Sequence, residues 1–300
     1  MMIRGRNCIS IAVRTPTGSI KASFLPIYSI FHSRLRSWIF VRGVIVLFET
    51  LLIGMRALNR SAVEAMGEEE VDTSKWVLGA TVLFSVVVGM LVFLGIPLLA
   101  VSFLHDWISS YLLSNLIEGI IRLIILILYI VTIAQFSDMK RVFGYHGAEH
   151  MTVHAHEHDA PLTVEEVSKY DTAHPRCGTA FLLTVSVVAI VAFAFLERTS
   201  LWLSVVSRLA LLPVIAAISY EIVRFSGTHS QSIVARLLAV PGLALQSLTT
   251  RRPDNSQIEV AIVAMKRALD RDSKINDTDS DSAFNPDDLV VDSIDDLIVN

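Results

Sequence analysis

Residues 76–104 read WVLGATVLFSVVVGMLVFLGIPLLAVSFL, a run without a single charged side chain. About 20 consecutive apolar residues carry a helix across the hydrocarbon core of a bilayer. Inside lipid the backbone must satisfy its own polar groups, which a helix does. The stretch therefore predicts a membrane-spanning helix, with Pro97 a tolerated kink near its end. Three further apolar runs, at about 116–136, 179–196 and 201–225, predict three more spans. Composition agrees: 53% hydrophobic and 18% charged residues depart from the roughly 25% charged residues of ordinary soluble domains. The expected fold class is mainly α, a polytopic α-helical membrane protein with a small N-terminal β-hairpin.

Outward from the spans, loop charge sets the expected orientation. The 105–115 loop has no Lys or Arg, and the 197–200 turn has only Arg198. Lys140, Arg141, Lys169, Arg176, Arg224, Arg236, Arg251 and Arg252 lie on the other side. Basic loops stay cytoplasmic, so the expected location is the cell membrane, multi-pass, with both termini and the 138–178 loop in the cytoplasm. Residues 1–48 carry seven Lys or Arg and no acid, as organellar transit peptides can. Yet positions 8–20 alternate apolar and polar around Pro16-Thr17-Gly18, which predicts a folded hairpin. A first segment of 1–40, a helical membrane domain of 41–270 and an acidic tail of 271–300 are the expected units.

Within the membrane domain, 42–58 is bounded by arginines at both ends and holds Glu49. It reads as an interfacial or buried amphipathic helix. Residues 66–72 form an acidic connector. Residues 232–246, broken by Pro241-Gly242, are too short to span and read as re-entrant or interfacial. Thr249–Asp254 is a basic turn, explained by positive-inside bias. Residues 256–269 predict an amphipathic helix with Ile258, Ala261, Ile262, Met265 and Leu269 on one face. From Asp270 onward the tail carries ten acids against two bases; it is expected to be disordered, with LVVDSIDDLIV a docking motif for an unidentified protein partner. Two cysteines, Cys8 and Cys177, give no disulfide framework. No dinucleotide fingerprint, P-loop or repeat is visible, and no nucleic-acid partner is expected.

The chemistry concentrates in Phe143–Gly178, which holds six of the nine histidines. His146-Gly-Ala-Glu149-His150 matches H-x-x-E-H, the inverse of H-E-x-x-H. On a helix His146 and His150, four apart, share a face and can present imidazoles to one ion. His154 extends the stripe if the helix continues. Glu149 sits about 100° round and suits a water-activating carboxylate better than a ligand. Gly147 weakens such a helix by about 1 kcal/mol relative to alanine. A catalytic zinc takes three protein ligands, and His174, Cys177 and the intramembrane Glu221 are the alternatives for the third. Glu118 and Arg122, one turn apart, read as a mutually neutralising pair. Arg208 and Glu221 are too far apart to pair.

RVFGYHGAEH, HEHDAPLTVEEV and HPRCGTAFLL resemble the YqhQ-like family of multispanning membrane proteins. So do MMIRG, AVRTPTGSI, RGVIVLFETLLIGMRAL, NLIEGIIRL, ISYEI, PGLALQSLTTRRPD and QIEVAI, in the same order. The resemblance implies a predicted metal-dependent enzyme. It also implies a glycine-rich, glutamate-containing stretch ahead of Met1 and a lysine where Met151 stands. The reading is then a membrane-embedded metal-dependent enzyme, a hydrolase at the cytoplasmic interface. Its cofactor is a divalent metal, zinc; its partners are membrane lipids, with a lipid-linked or membrane-peptide substrate. The alternative is a non-catalytic transporter, assembly factor or metal-bound scaffold. Histidines converging on a pocket favour the enzyme; histidines splayed outward beside a polar tunnel favour transport.

Overall fold

A computed structural model describes residues 1–5, 8–25, 38–66, 75–104, 107–108, 110–174, 177–197, 200–229, 231–277 and 289–291. The N-terminal hairpin is present: strands β2 (Ile9–Arg14) and β3 (Ile20–Leu25) pair antiparallel, Ile9 opposite Leu25 and Arg14 opposite Ile20. Gly18 turns the chain at φ +92°, a conformation that costs a residue without a Cβ little. Strand β1 (Met2–Arg4) extends the hairpin on one side. Strand β4 (Leu289–Val291) extends it on the other, beside β3. Part of the acidic tail is thus structured, because Leu-Val-Val supplies β-prone residues to an open edge.

The main body is helical. Helix α1 (Ile39–Met66) is longer than the 42–58 segment expected, and it packs along α8 (Leu201–Thr228). Helices α2 (Lys75–Met90) and α3 (Ile96–Phe103) run on through a π-helical turn at Leu91–Gly95, making one long apolar rod. Helix α4 (Tyr111–Ile133) follows, its N-terminus capped by Ser110. Among the described residues three helices are long and apolar enough to cross a membrane: Gly79–Phe103, Tyr111–Ile133 and Trp202–Thr228. The third expected span, 179–196, is α7 (Gly178–Ala194), which is apolar but only 17 residues long. At 1.5 Å per residue that is about 25 Å, short of a hydrocarbon core of about 30 Å. Helix α9 (Ile233–Thr249) is unbroken through Pro241 and packs on α7 and α8. The acidic connector at 67–72 lies outside the described residues.

Charges inside the spans pair with one another. Glu118 on α4 accepts from Arg122 at 2.6 Å and also from Arg208 on α8 at 2.5 and 2.9 Å. The expected intrahelical pair is therefore one half of an α4–α8 crosslink. Glu49, fully buried on α1, accepts from Arg4 of β1 at 2.7 Å and fastens the sheet to that helix.

The last helix, α10 (Asn255–Asp277), is buried on two sides rather than on the one face expected. Ile258, Ala261 and Ile262 pack on Ala148, Met151 and Ala155 of α5 (Ser137–Glu157). Val260, Val263, Ala264, Met265 and Ala268 pack on Ile3, Ala12, Ile20 and Ala22 of the sheet. Val260-Ala261-Ile262-Val263-Ala264 is apolar all round, and such a helix belongs inside. The opposite sheet face, Ile11 and Val13, meets Ala57 of α1. Helix α5, which carries the histidines, is thereby clamped from behind by α10.

Candidate metal centre

Helix α5 runs unbroken to Glu157, so His146, His150 and His154 do form one stripe. Gly147 has a tertiary reason to be glycine. A Cβ there would overlap the backbone carbonyl of Arg251, in the chain just past α9. That close approach is tied down by the Arg251 N–H, which donates to the Phe143 carbonyl at 3.0 Å. It also brings the Thr249 carbonyl to within 2.9 Å of His146 Nδ1. His150 Nδ1 lies 2.5 Å from the Thr172 carbonyl, on the segment between α6 (Val164–Val167) and α7.

A carbonyl oxygen only accepts, so in both neutral rings the proton sits on Nδ1 and the lone pair on Nε2. Backbone acceptors of this kind fix the ring and tautomer of metal-binding histidines. His146 Nε2 lies 3.1 Å from Cys177 Sγ, and ring centroids of His146 and His150 are 4.5 Å apart. His146, His150 and Cys177 each offer a ligand atom within 4.8 Å of the others.

Cys177 caps the N-terminus of α7, where its sulfur accepts from the Thr179 N–H at 3.3 Å. Burial pushes the thiol up. With no ion bound and the two rings protonated, hydrogen bonds from His146 and His150, together with Thr179, outweigh that and bring it down to about 5, as helix N-termini and imidazolium neighbours do for thiols. Burial pulls His146 down most, but its bonds to the Cys177 sulfur and the Thr249 carbonyl and the charges of Cys177 and Glu149 together raise it further, and the net is upward. Glu149 keeps some solvent contact. Desolvation by the packing around it still raises its carboxyl above the usual range, against the pull of His146 and His150.

His174 does not join this trio. Its Nε2 lies 3.3 Å from Glu157, and it groups with His154 and Glu157. Its backbone is held by Gln246 of α9, which accepts from its N–H at 2.9 Å and donates to its carbonyl at 2.8 Å. Glu221 stands outside both groups, with both carboxylate oxygens engaged by Arg42 of α1. Its partner is a neighbouring helix, and not Arg224 one turn on. Pro175 lies outside the described residues. Sequence reasoning missed the carbonyls of Thr172 and Thr249 and the Gln246 clamp. Backbone acceptors leave no mark on side-chain identity, and nothing in the sequence signalled them.

Cys177 also lines a cavity of about 790 Å³ between α1, α7 and α8, with Leu47, Phe181, Tyr220, Val223 and Arg224 on its walls. That size suits an organic ligand.

The architecture defines a class: an α-helical protein that has, among the described residues, three membrane-length apolar helices, and a His–Cys cluster between a polar helix and the start of α7. Within that class, the chain belongs to the family described as "Protein of unknown function (DUF1385)", whose profile matches residues 38–271. It is similar to "Uncharacterized protein YqhQ" of Bacillus subtilis (strain 168), 31% identical over 287 residues, covering 90% of this chain and 89% of the relative. The YqhQ-like resemblance of the motifs is thus met across the chain. No solved structure matches it significantly.

Proposed function

We propose that the protein is a membrane-embedded, metal-dependent hydrolase acting on a lipid or lipid-linked substrate at the cytoplasmic face. The observation carrying this is the pair of Nδ1–carbonyl bonds, which leave the Nε2 atoms of His146 and His150 beside the Cys177 sulfur. Two imidazoles and a thiolate are donors zinc accepts readily, and a thiol that coordinates a divalent ion gives up its proton to solvent. The donor set fits a divalent ion held by His146, His150 and Cys177. Three protein ligands leave one position for water or substrate. A divalent ion held there supplies Lewis acidity and lowers the pKa of a bound water.

The chain's own groups account for the rest. Glu149, close enough to feel both histidines, takes the proton of the attacking water as a general base. Its raised pKa moves it toward the working range of such a base. The cavity on which Cys177 borders takes the apolar part of the substrate, and Arg224 on its wall pairs with an anionic group. Basic loop charge supports a site at the cytoplasmic surface. Transport fits less well. The histidines converge beside a cavity, and Arg122 and Arg208 are both bound to Glu118.

The test is zinc content of the detergent-solubilised protein, purified without chelators. His146→Ala, His150→Ala and Cys177→Ala should each lose the ion from this site. Glu149→Gln should keep it while failing to complement a deletion of the gene. A Glu149→Gln protein that complements fully makes the metal structural and sinks the hydrolase reading.

A further inference from the structure

We infer that His154, Glu157 and His174 form a second divalent-metal site, one helical turn beyond the first. His154 and Glu157 stand three apart on α5 and so share a face. His174 reaches them from the segment before α7. Each offers a ligand atom within 4.8 Å of the other two. The rings of His154 and His174 are 4.7 Å apart, and His174 Nε2 is 3.3 Å from a Glu157 oxygen.

The tautomer argument applies here with the atoms reversed. His154 Nε2 lies 2.7 Å from the Ala173 carbonyl, so the proton sits on Nε2 and the Nδ1 lone pair is left for an ion. Tyr170 stacks on the His154 ring, the planes 7° apart, and restricts its rotation. Gln246 fixes the backbone of His174 through two hydrogen bonds. Ring and backbone are therefore oriented before any ion arrives.

Two imidazoles and a carboxylate suit zinc and the divalent first-row transition ions. The position gives the ion a task. His174 and Cys177 belong to one short segment, and the rings of His150 and His174 are 5.7 Å apart. An ion on His154, Glu157 and His174 fastens that segment to the last turn of α5. It thereby holds Cys177 against His146 and His150. The site stands on its own geometry and does not depend on the hydrolase reading.

The experiment counts metal by mass spectrometry in full-length protein, loaded with zinc in detergent and freed of excess. Wild type should carry two zinc ions per chain, and H154A and E157Q one each. E157Q keeps the side-chain shape, so its loss is not one of folding. H146A and C177S should also carry one. With cobalt(II), the near-ultraviolet sulfur-to-metal charge-transfer band should survive in H154A and E157Q and vanish in C177S. One ion in wild type, retained in H154A and E157Q but lost in C177S, overturns the second site and leaves the first. One ion lost in H154A and E157Q but retained in C177S does the reverse. No zinc in wild type overturns both.

Discussion

Replacing Gly147 by alanine tests whether tertiary packing or local propensity governs the site helix. By propensity alone, alanine in the middle of a helix adds about 1 kcal/mol of stability. The structure predicts the opposite sign. The new methyl meets the backbone carbonyl of Arg251 well inside contact distance, and a carbonyl cannot rotate away as a flexible side chain can. The 249–251 segment has to move. Two bonds depend on its position, Arg251 N–H to the Phe143 carbonyl at 3.0 Å and His146 Nδ1–H to the Thr249 carbonyl at 2.9 Å. Each contributes about 0.5–1.5 kcal/mol net, and overpacking costs roughly 1–3 kcal/mol more. Against the gain of about 1 kcal/mol, the net loss is on the order of 1–5 kcal/mol. At roughly 2–4 °C per kcal/mol for large domains, the melting temperature in detergent should fall by several degrees. Zinc should be held more weakly, because His146 loses the acceptor that fixes its ring. Equal or higher stability in G147A, with zinc affinity unchanged, refutes the packing of Arg251 over Gly147.

Glu118→Ala leaves two buried guanidiniums without their shared carboxylate, a change costing about 3–5 kcal/mol. It should accumulate poorly and melt well below Arg122→Met, which leaves Glu118 doubly bonded to Arg208; equal melting points would rule out the α4–α8 crosslink. Burial, with Asp272 beside it, pushes the Cys8 thiol up to about 11. The folded state then holds this proton more tightly than the unfolded one. Its contribution to stability is complete below about pH 9 and disappears as pH rises toward about 11. A pH series of melting curves should show that alkaline fall, and Cys8→Ala should flatten it. For topology, S110C in a background with Cys8 and Cys177 replaced by serine should react with an impermeant maleimide in sealed cells, and A160C should not. The reverse pattern would invert the orientation drawn from the basic loops.

The sequence by itself determined the features that neighbours within one or two turns decide. Apolar runs fixed α2–α3, α4 and α8 as membrane-length helices, since hydropathy and length are summed locally. Alternation around Pro16-Thr17-Gly18 fixed the hairpin, and four-residue spacing placed His146, His150 and His154 on one face. Tertiary structure decided what these elements meet. Cys177 offers a ligand atom to His146 and His150 together, while His174 lies against His150 and turns its own to His154 and Glu157, because Gln246 and the caps of α7 position a segment some 31 residues away. Glu221 goes to Arg42, 179 residues distant in sequence, and Glu118 is shared with Arg208, 90 residues distant. Helix α10 is buried on both sides only because the sheet and α5 both reach it. The sign of Gly147→Ala changes because a carbonyl from beyond α9 lies over that glycine. Helical periodicity specifies which face a side chain takes. Ligation, ion pairing and close packing are contacts between distant segments, and only the folded chain brings those together.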